Sequence, residues 1–188
     1  MFKRLFSGIL VALLMCAFAA SAEEAPVSFD AYASALEAQA GTAWKEDGSA
    51  ELQTLALGGV SVYACLRGEA LVALTVESPR EGDFGEDVRA ALEPLGWLDE
   101  AALSSLFEMS AGSEAVANGY AYGKIEGETR SAVWLCPEAE RDALVWQPVH
   151  GGTRYHAKSD CSGMDVPRLV TVEAAEAAGF SPCGRCVK

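Results

Sequence analysis

Apolar and polar positions alternate along this chain with two distinct periods, and their order predicts the elements. Over 29–40, Phe29, Tyr32, Ala33, Leu36 and Ala40 recur at helical spacing behind Ser28, a residue suited to capping a helix. Past Glu46-Asp47-Gly48-Ser49, which reads as a turn, three strand-like runs cover 51–57, 60–67 and 70–77. Gly58-Gly59 and Gly68-Glu69 separate them, as tight antiparallel hairpins require. Val88, Leu92 and Leu95 then form a helical stripe ending at Gly96, and Asp99 caps a further helix carrying Ala102, Leu103, Leu106 and Phe107. Two more strands, 116–125 and 130–136, turn at Glu126-Gly127-Glu128-Thr129. The order helix, three strands, two helices, two strands predicts an α+β domain with helices against an antiparallel sheet.

The pattern changes at both ends of the chain. Lys3 and Arg4, an apolar run from Leu5 to Ala20, and Ala20-Ser21-Ala22 have the three parts of a secretory signal peptide cleaved after Ala22. The run is short for a membrane span and contains Ser7 and Gly8. A lipoprotein modified at Cys16 is the less favoured reading, because bulky Met15 precedes that cysteine. The expectation is therefore a secreted or extracytoplasmic protein, with 1–22 as signal, 23–147 as the α+β domain and 148–188 as a small C-terminal module. No stable membrane insertion is expected after cleavage.

Charge sharpens the division. The 188 residues carry a formal net charge of −13, and nearly all of the acidic excess lies before Pro148. After it, Arg154, Lys158, Arg168, Arg185 and Lys188 roughly balance Asp160, Asp165, Glu173 and Glu176. An acidic body repels phosphate backbones and anionic headgroups, which argues against nucleic acid as its partner and leaves a protein or a small molecule. The body also lacks histidine and any Gly-rich phosphate loop, so nothing in it announces catalysis. Tyr63, Trp97, Tyr120, Tyr122 and Trp134 fall at positions that suit a core better than a ligand groove.

The chemistry concentrates in the module. His156 and Cys161 form one pair of potential ligands, and Cys183 and Cys186 a second. Nitrogen and thiolate donors at such short spacings suit four-coordinate zinc. Between the pairs, a short alanine-rich helix over 172–178, capped by Thr171 and stopped by Gly179, folds the second pair back onto the first. With few large apolar residues in about forty, the module needs a metal or disulfides to fold. Disulfides or a redox role for Cys183 and Cys186 are the competing readings in an exported chain. His150 lacks the paired spacing and is expected to be solvent-exposed. Cys65 and Cys136 are the cysteines left over, at strand positions, where either a disulfide or two buried free thiols is compatible with the sequence.

The run Tyr155-His156…Cys161…Gly179-Phe180-Ser181-Pro182-Cys183-Gly184-Arg185-Cys186 resembles a small zinc module found at the C-terminus of exported bacterial proteins. That module is related to the metal-binding domain of the Ada-type protein that repairs DNA methyl-phosphotriesters. The resemblance covers the module and none of the body. It implies a structural zinc ion on His156, Cys161, Cys183 and Cys186. Because His156 stands where the repair protein has its methyl-accepting cysteine, it also implies no alkyl-transfer chemistry. The functional expectation is an exported zinc-binding protein whose acidic body has a binding or adaptor role. The rival is an exported hydrolase using body carboxylates, with the module as accessory.

Overall fold

The computed structural model describes residues 28–79 and 85–188; the expected signal segment, with Cys16, lies outside the described residues. The fold is α+β, built on one seven-stranded antiparallel sheet. Its strands are β1 (Lys45–Glu46), β2 (Leu52–Leu57), β3 (Val60–Arg67), β4 (Ala70–Pro79), β5 (Glu114–Ala117), β6 (Tyr120–Glu126) and β7 (Arg130–Pro137). They lie in the order β1-β2-β3-β4-β7-β6-β5, so β4 and β7 meet at the centre and the two hairpin systems extend outward. No helix among the described residues is long and apolar enough to cross a membrane.

Strand alternation gives the sheet two buried faces. Val60, Val62, Ala64, Leu74, Val76, Val133 and Leu135 point to one side, where α1 (Phe29–Ala40), α2 (Glu86–Leu92) and α3 (Glu100–Glu108) cover them. Tyr32 is buried there and its hydroxyl donates to the Ala91 carbonyl at 2.9 Å, tying α1 to α2. Trp97 stacks on Tyr120 with ring centroids 4.7 Å apart, which places this aromatic pair within the core rather than in a groove.

The opposite face is covered by the last forty residues. β8 (Leu144–Pro148) pairs antiparallel with β10 (Pro167–Thr171), which leads directly into α4 (Val172–Ala177). Leu144, Trp146, Leu169, Val170, Ala174 and Ala175 share one core cluster with Leu52, Cys65, Ala73, Trp134 and Cys136 of the sheet. Trp146 meets Trp134 edge to face, with centroids 5.6 Å apart. Gln147 and Pro148, where the sequence suggested a junction, lie inside β8, and the apolar residues that are too few to form a core alone are buried against the body.

The local signals explain most of the boundaries. Asp99 accepts from the Ala102 N–H at 2.8 Å and Thr171 from the Ala174 N–H at 3.0 Å, so both predicted caps form. Ser28 makes no side-chain cap bond, and its backbone forms a bridge with Ala70. The stripe ending at Gly96 is α2 followed by a 3-10 turn, Glu93–Leu95, in which Pro94 supplies no N–H for a continuing helix.

Two strand expectations need correction. The run 116–125 is two strands, since Asn118 and Gly119 adopt φ of 53° and 79° and turn the chain between β5 and β6. Asn-Gly is a strong hairpin signal, because both residues tolerate a left-handed backbone. The supposed turn at Glu46 opens with an edge strand, β1, pairing Lys45 with Thr54 and Glu46 with Gln53.

Candidate metal centre

Two short strands carry the ligand pairs. β9 (Arg154–Tyr155) runs parallel to β11 (Ser181–Pro182), and each strand ends immediately before a ligand, His156 in one case and Cys183 in the other. The Ser181 N–H donates to the Thr153 carbonyl at 3.0 Å and the Cys183 N–H to the Tyr155 carbonyl at 2.9 Å. His156 is fixed from its other side by reciprocal backbone bonds with Trp146, 2.7 and 2.8 Å long. Cys161 opens a 3-10 turn, and the Val187 N–H donates to the Cys183 carbonyl at 3.0 Å, closing the turn that presents Cys183 and Cys186 together.

The result is a four-residue cluster that could hold a metal ion. One ligand atom from each of His156, Cys161, Cys183 and Cys186 lies within 4.8 Å of all the others. Cys161 Sγ and Cys183 Sγ are 4.0 Å apart, and Cys186 Sγ lies 3.7 Å from His156 Nδ1. The Ala157 N–H approaches Cys186 Sγ at 3.4 Å, a contact that favours the thiolate over the thiol. His156 and Cys183 are buried, whereas Cys161 and Cys186 are partly open to solvent.

Electrostatics distinguishes these cysteines from the others. The Arg185 N–H, with further help from the Cys186 N–H and the neighbouring thiols, brings Cys183 down to about 7 against a burial effect that opposes it. Burial raises Cys186. Burial and the charges of Arg154 and Arg185 lower His156, which keeps its imidazole neutral and able to ligate. By contrast, burial pushes Cys65 up to about 11 and Cys136 up to about 12. A thiol so raised stays protonated and inert.

Cys65 and Cys136 are both free and buried, the second of the two readings the sequence left open. Cys65 pairs with Ala73 on one edge of β4, while Leu135, beside Cys136, pairs with Leu74 on the other. A strand thus separates them, and two strand spacings put their Cα atoms about 10 Å apart, beyond the reach of an S–S bond. Their role is packing: Cys65 Sγ accepts from the Thr171 N–H at 3.4 Å where β10 crosses the sheet.

The structure also places a group that sequence reasoning missed. His150 is exposed, as expected, but it is not without a partner: its Nε2 lies 2.9 and 3.0 Å from the two carboxylate oxygens of buried Glu77. Seventy-odd residues separate the two, so no spacing could reveal the pair; the available signal was a glutamate at an inward-facing position of β4.

No family model, curated protein or solved structure matches this chain.

Proposed function

We propose that this is an exported zinc-binding protein in which one structural zinc ion orders the ligand loops of a C-terminal module that packs on an acidic α+β body of binding or adaptor role. The geometry of the ligand cluster carries this reading. Zinc at about 2.3 Å from sulfur and about 2.0 Å from nitrogen makes a tetrahedron with S···S edges near 3.8 Å and S···N edges near 3.5 Å. The distances of 4.0 Å between Cys161 and Cys183 and 3.7 Å between Cys186 and His156 fit those edges. Three thiolates and an imidazole form a donor set that zinc favours over magnesium or calcium. Four protein ligands complete the tetrahedron and leave no position for a reactive water, so the ion's role is structural.

Placement outside the cytoplasm rests on the N-terminal charge and hydropathy pattern, and kinship with the Ada-type module rests on the quoted motif. Native mass spectrometry of protein purified without added metal tests the zinc assignment. One zinc per chain, lost together from His156→Ala and Cys183→Ser, is the expected result. A folded, metal-free chain with Cys183 joined to Cys161 or Cys186 would overturn it.

A further inference from the structure

The ligands of the metal centre are not equivalent, and the difference lies in what reaches each sulfur. His156 and Cys183 are buried, while Cys161 and Cys186 open onto a polar groove of about 430 Å³ lined also by Lys158, Asp160, Ser162 and Arg185. Backbone amides mask two of the three sulfurs. Cys183 Sγ accepts from the Arg185 and Cys186 N–H groups, and Cys186 Sγ from the Ala157 N–H at 3.4 Å. A hydrogen bond of this kind draws charge from a thiolate and makes it a weaker nucleophile. Among the described residues no backbone N–H reaches Cys161 Sγ; the Ser162 hydroxyl, which can turn away, lies at 3.5 Å. Cys161 thus combines solvent access with the least masked sulfur, the two properties that govern a thiolate's susceptibility to oxidants.

A second thiolate stands beside it. Cys183 Sγ is 4.0 Å from Cys161 Sγ. An S–S bond is about 2.05 Å long, so the sulfurs must close by about 2 Å to join. Cys161 opens a short 3-10 turn, Cys161–Gly163, whose first N–H reaches the Lys158 carbonyl only at 3.3 Å. That turn lies in a loop with little else to hold it once the ion is lost, and it can make the movement. Cys65 and Cys136 are packed between sheet and module and take no part.

We propose that Cys161 is a site of oxidation by hydroperoxides and that Cys183 resolves it, which makes the metal centre a redox switch. The proposal rests on the zinc assignment. In the first step the Cys161 thiolate attacks one oxygen of hydrogen peroxide, the O–O bond breaks, and hydroxide leaves into a groove where Lys158 and Arg185 face its charge. Cys161 is then a sulfenic acid. In the second step the Cys183 thiolate attacks the Cys161 sulfur, the S–S bond forms, and a second hydroxide leaves. Both hydroxides take protons from solvent, so two electrons pass from the sulfurs to the peroxide, which ends as two waters. Zinc keeps only His156 and Cys186, too few donors for its tetrahedral site, and leaves.

The test uses the full chain, purified under reducing conditions, with zinc content read by native mass spectrometry. A chain without zinc at that point overturns the zinc assignment and this proposal with it; with one zinc bound, every later outcome bears on the oxidation alone. Hydrogen peroxide is added, zinc release is followed with a metallochromic dye, and the products are acid-quenched, alkylated and mapped as peptides. One zinc released per Cys161–Cys183 disulfide, with Cys65, Cys136 and Cys186 still free, is the expected result. Cys161→His keeps four donors around the ion but cannot form the bond, and its zinc release should be about tenfold slower or more at the same peroxide concentration. Should that variant take up no zinc, limiting iodoacetamide on the zinc-loaded wild type decides, because label must appear on Cys161 ahead of Cys183 and Cys186. Zinc retained in millimolar peroxide, a disulfide between any other pair, release from Cys161→His at the wild-type rate, or label reaching Cys183 or Cys186 first would each overturn the proposal.

Discussion

Stripping the metal should loosen the ligand loops while leaving the layer of β8, β10 and α4 on the sheet. Without an ion, the loops around His156, Cys161, Cys183 and Cys186 are held by few contacts. They include the bonds from Ser181 to Thr153, from Cys183 to Tyr155 and from Val187 to Cys183 and the bridge to Trp146, with Tyr155 packed in the core beneath. At a net value of about 1 kcal/mol each, such bonds supply a few kcal/mol. So few bonds do not offset the conformational entropy of ordering these loops, and the ion supplies binding free energy that acts as folding free energy there. The layer beneath is held differently, by Trp146, Leu169, Val170, Ala174 and Ala175 packed on Trp134, Cys65 and Ala73. Hydrogen exchange read by mass spectrometry, before and after chelation under reducing conditions, checks the division. Amides of Tyr155, His156 and Cys183 should lose protection by about a thousandfold, the effect of removing a ligand present at about a thousand times its Kd. Amides of Val145, Leu169 and Val170 should keep theirs. Equal loss across the whole chain, or unchanged protection at Cys183, would refute this reasoning.

Three further outcomes follow from the same contacts. After chelation, a thiol reagent should label Cys161, Cys183 and Cys186 at once, but Cys65 and Cys136 only on global unfolding, because burial holds their thiols at about 11 and about 12; intact-mass kinetics reads the two phases. Gly127→Ala should destabilise the protein by about 1–3 kcal/mol in a denaturant titration, since a Cβ there would run into the side chain and backbone of Asp165 and push the β6–β7 turn off the module. Asp165→Asn should lower stability near neutral pH. Burial raises the Asp165 carboxyl, yet the Thr129 hydroxyl and the Glu128 and Thr129 N–H groups outweigh it and leave it below its usual value. A depressed carboxyl stabilises the fold above its unfolded value of about 3.9 and loses that contribution as pH falls through the folded one. The gap between wild type and variant should therefore close as acid is added, and a gap that widens would contradict the sign.

The body was readable because its strands alternate cleanly and its turns carry glycine. Alternation at Val60, Val62 and Ala64 places one face, and Asp99 and Thr171 announce their helices. What escaped was pairing over long separations. β8 and β10 are short, five residues each, and buried throughout, so neither shows the period of two that betrays a half-exposed strand. The inward side of β4 was visible at Ala73 and Thr75, but nothing near Glu77 in sequence tells which residue will answer its charge. Arg168 presents the same difficulty. It is buried at the junction, bonding Gln147 at 2.9 Å and Asp47 at 2.7 Å and lying over Tyr63, with partners 21 and 121 residues away. The metal ligands escaped this limit because donor spacing is a local property, and local properties survive in a sequence read alone.

The uneven charge of the chain has a physical reading in this arrangement. A divalent cation held by three thiolates and a neutral imidazole would leave one net negative charge on the cluster. Arg154 and Arg185 act on His156 at close range, and Lys158 and Arg185 line the groove over Cys161 and Cys186. A nearby cation favours a thiolate over a thiol, but Asp160 lines the same groove, and what lowers Cys183 is first the Arg185 N–H. The body differs, since its exposed carboxylates face water and serve solubility. Where it does meet the module it departs from its own acidic character: Glu77 is answered by Arg130 and His150, Asp47 by Arg168, and Asp165 of the module by the 127–129 turn. The module's cations thus lie where they meet the acidic body or the ligand cluster: Arg168 on Asp47 at the seam, and Arg154 and Arg185 near His156.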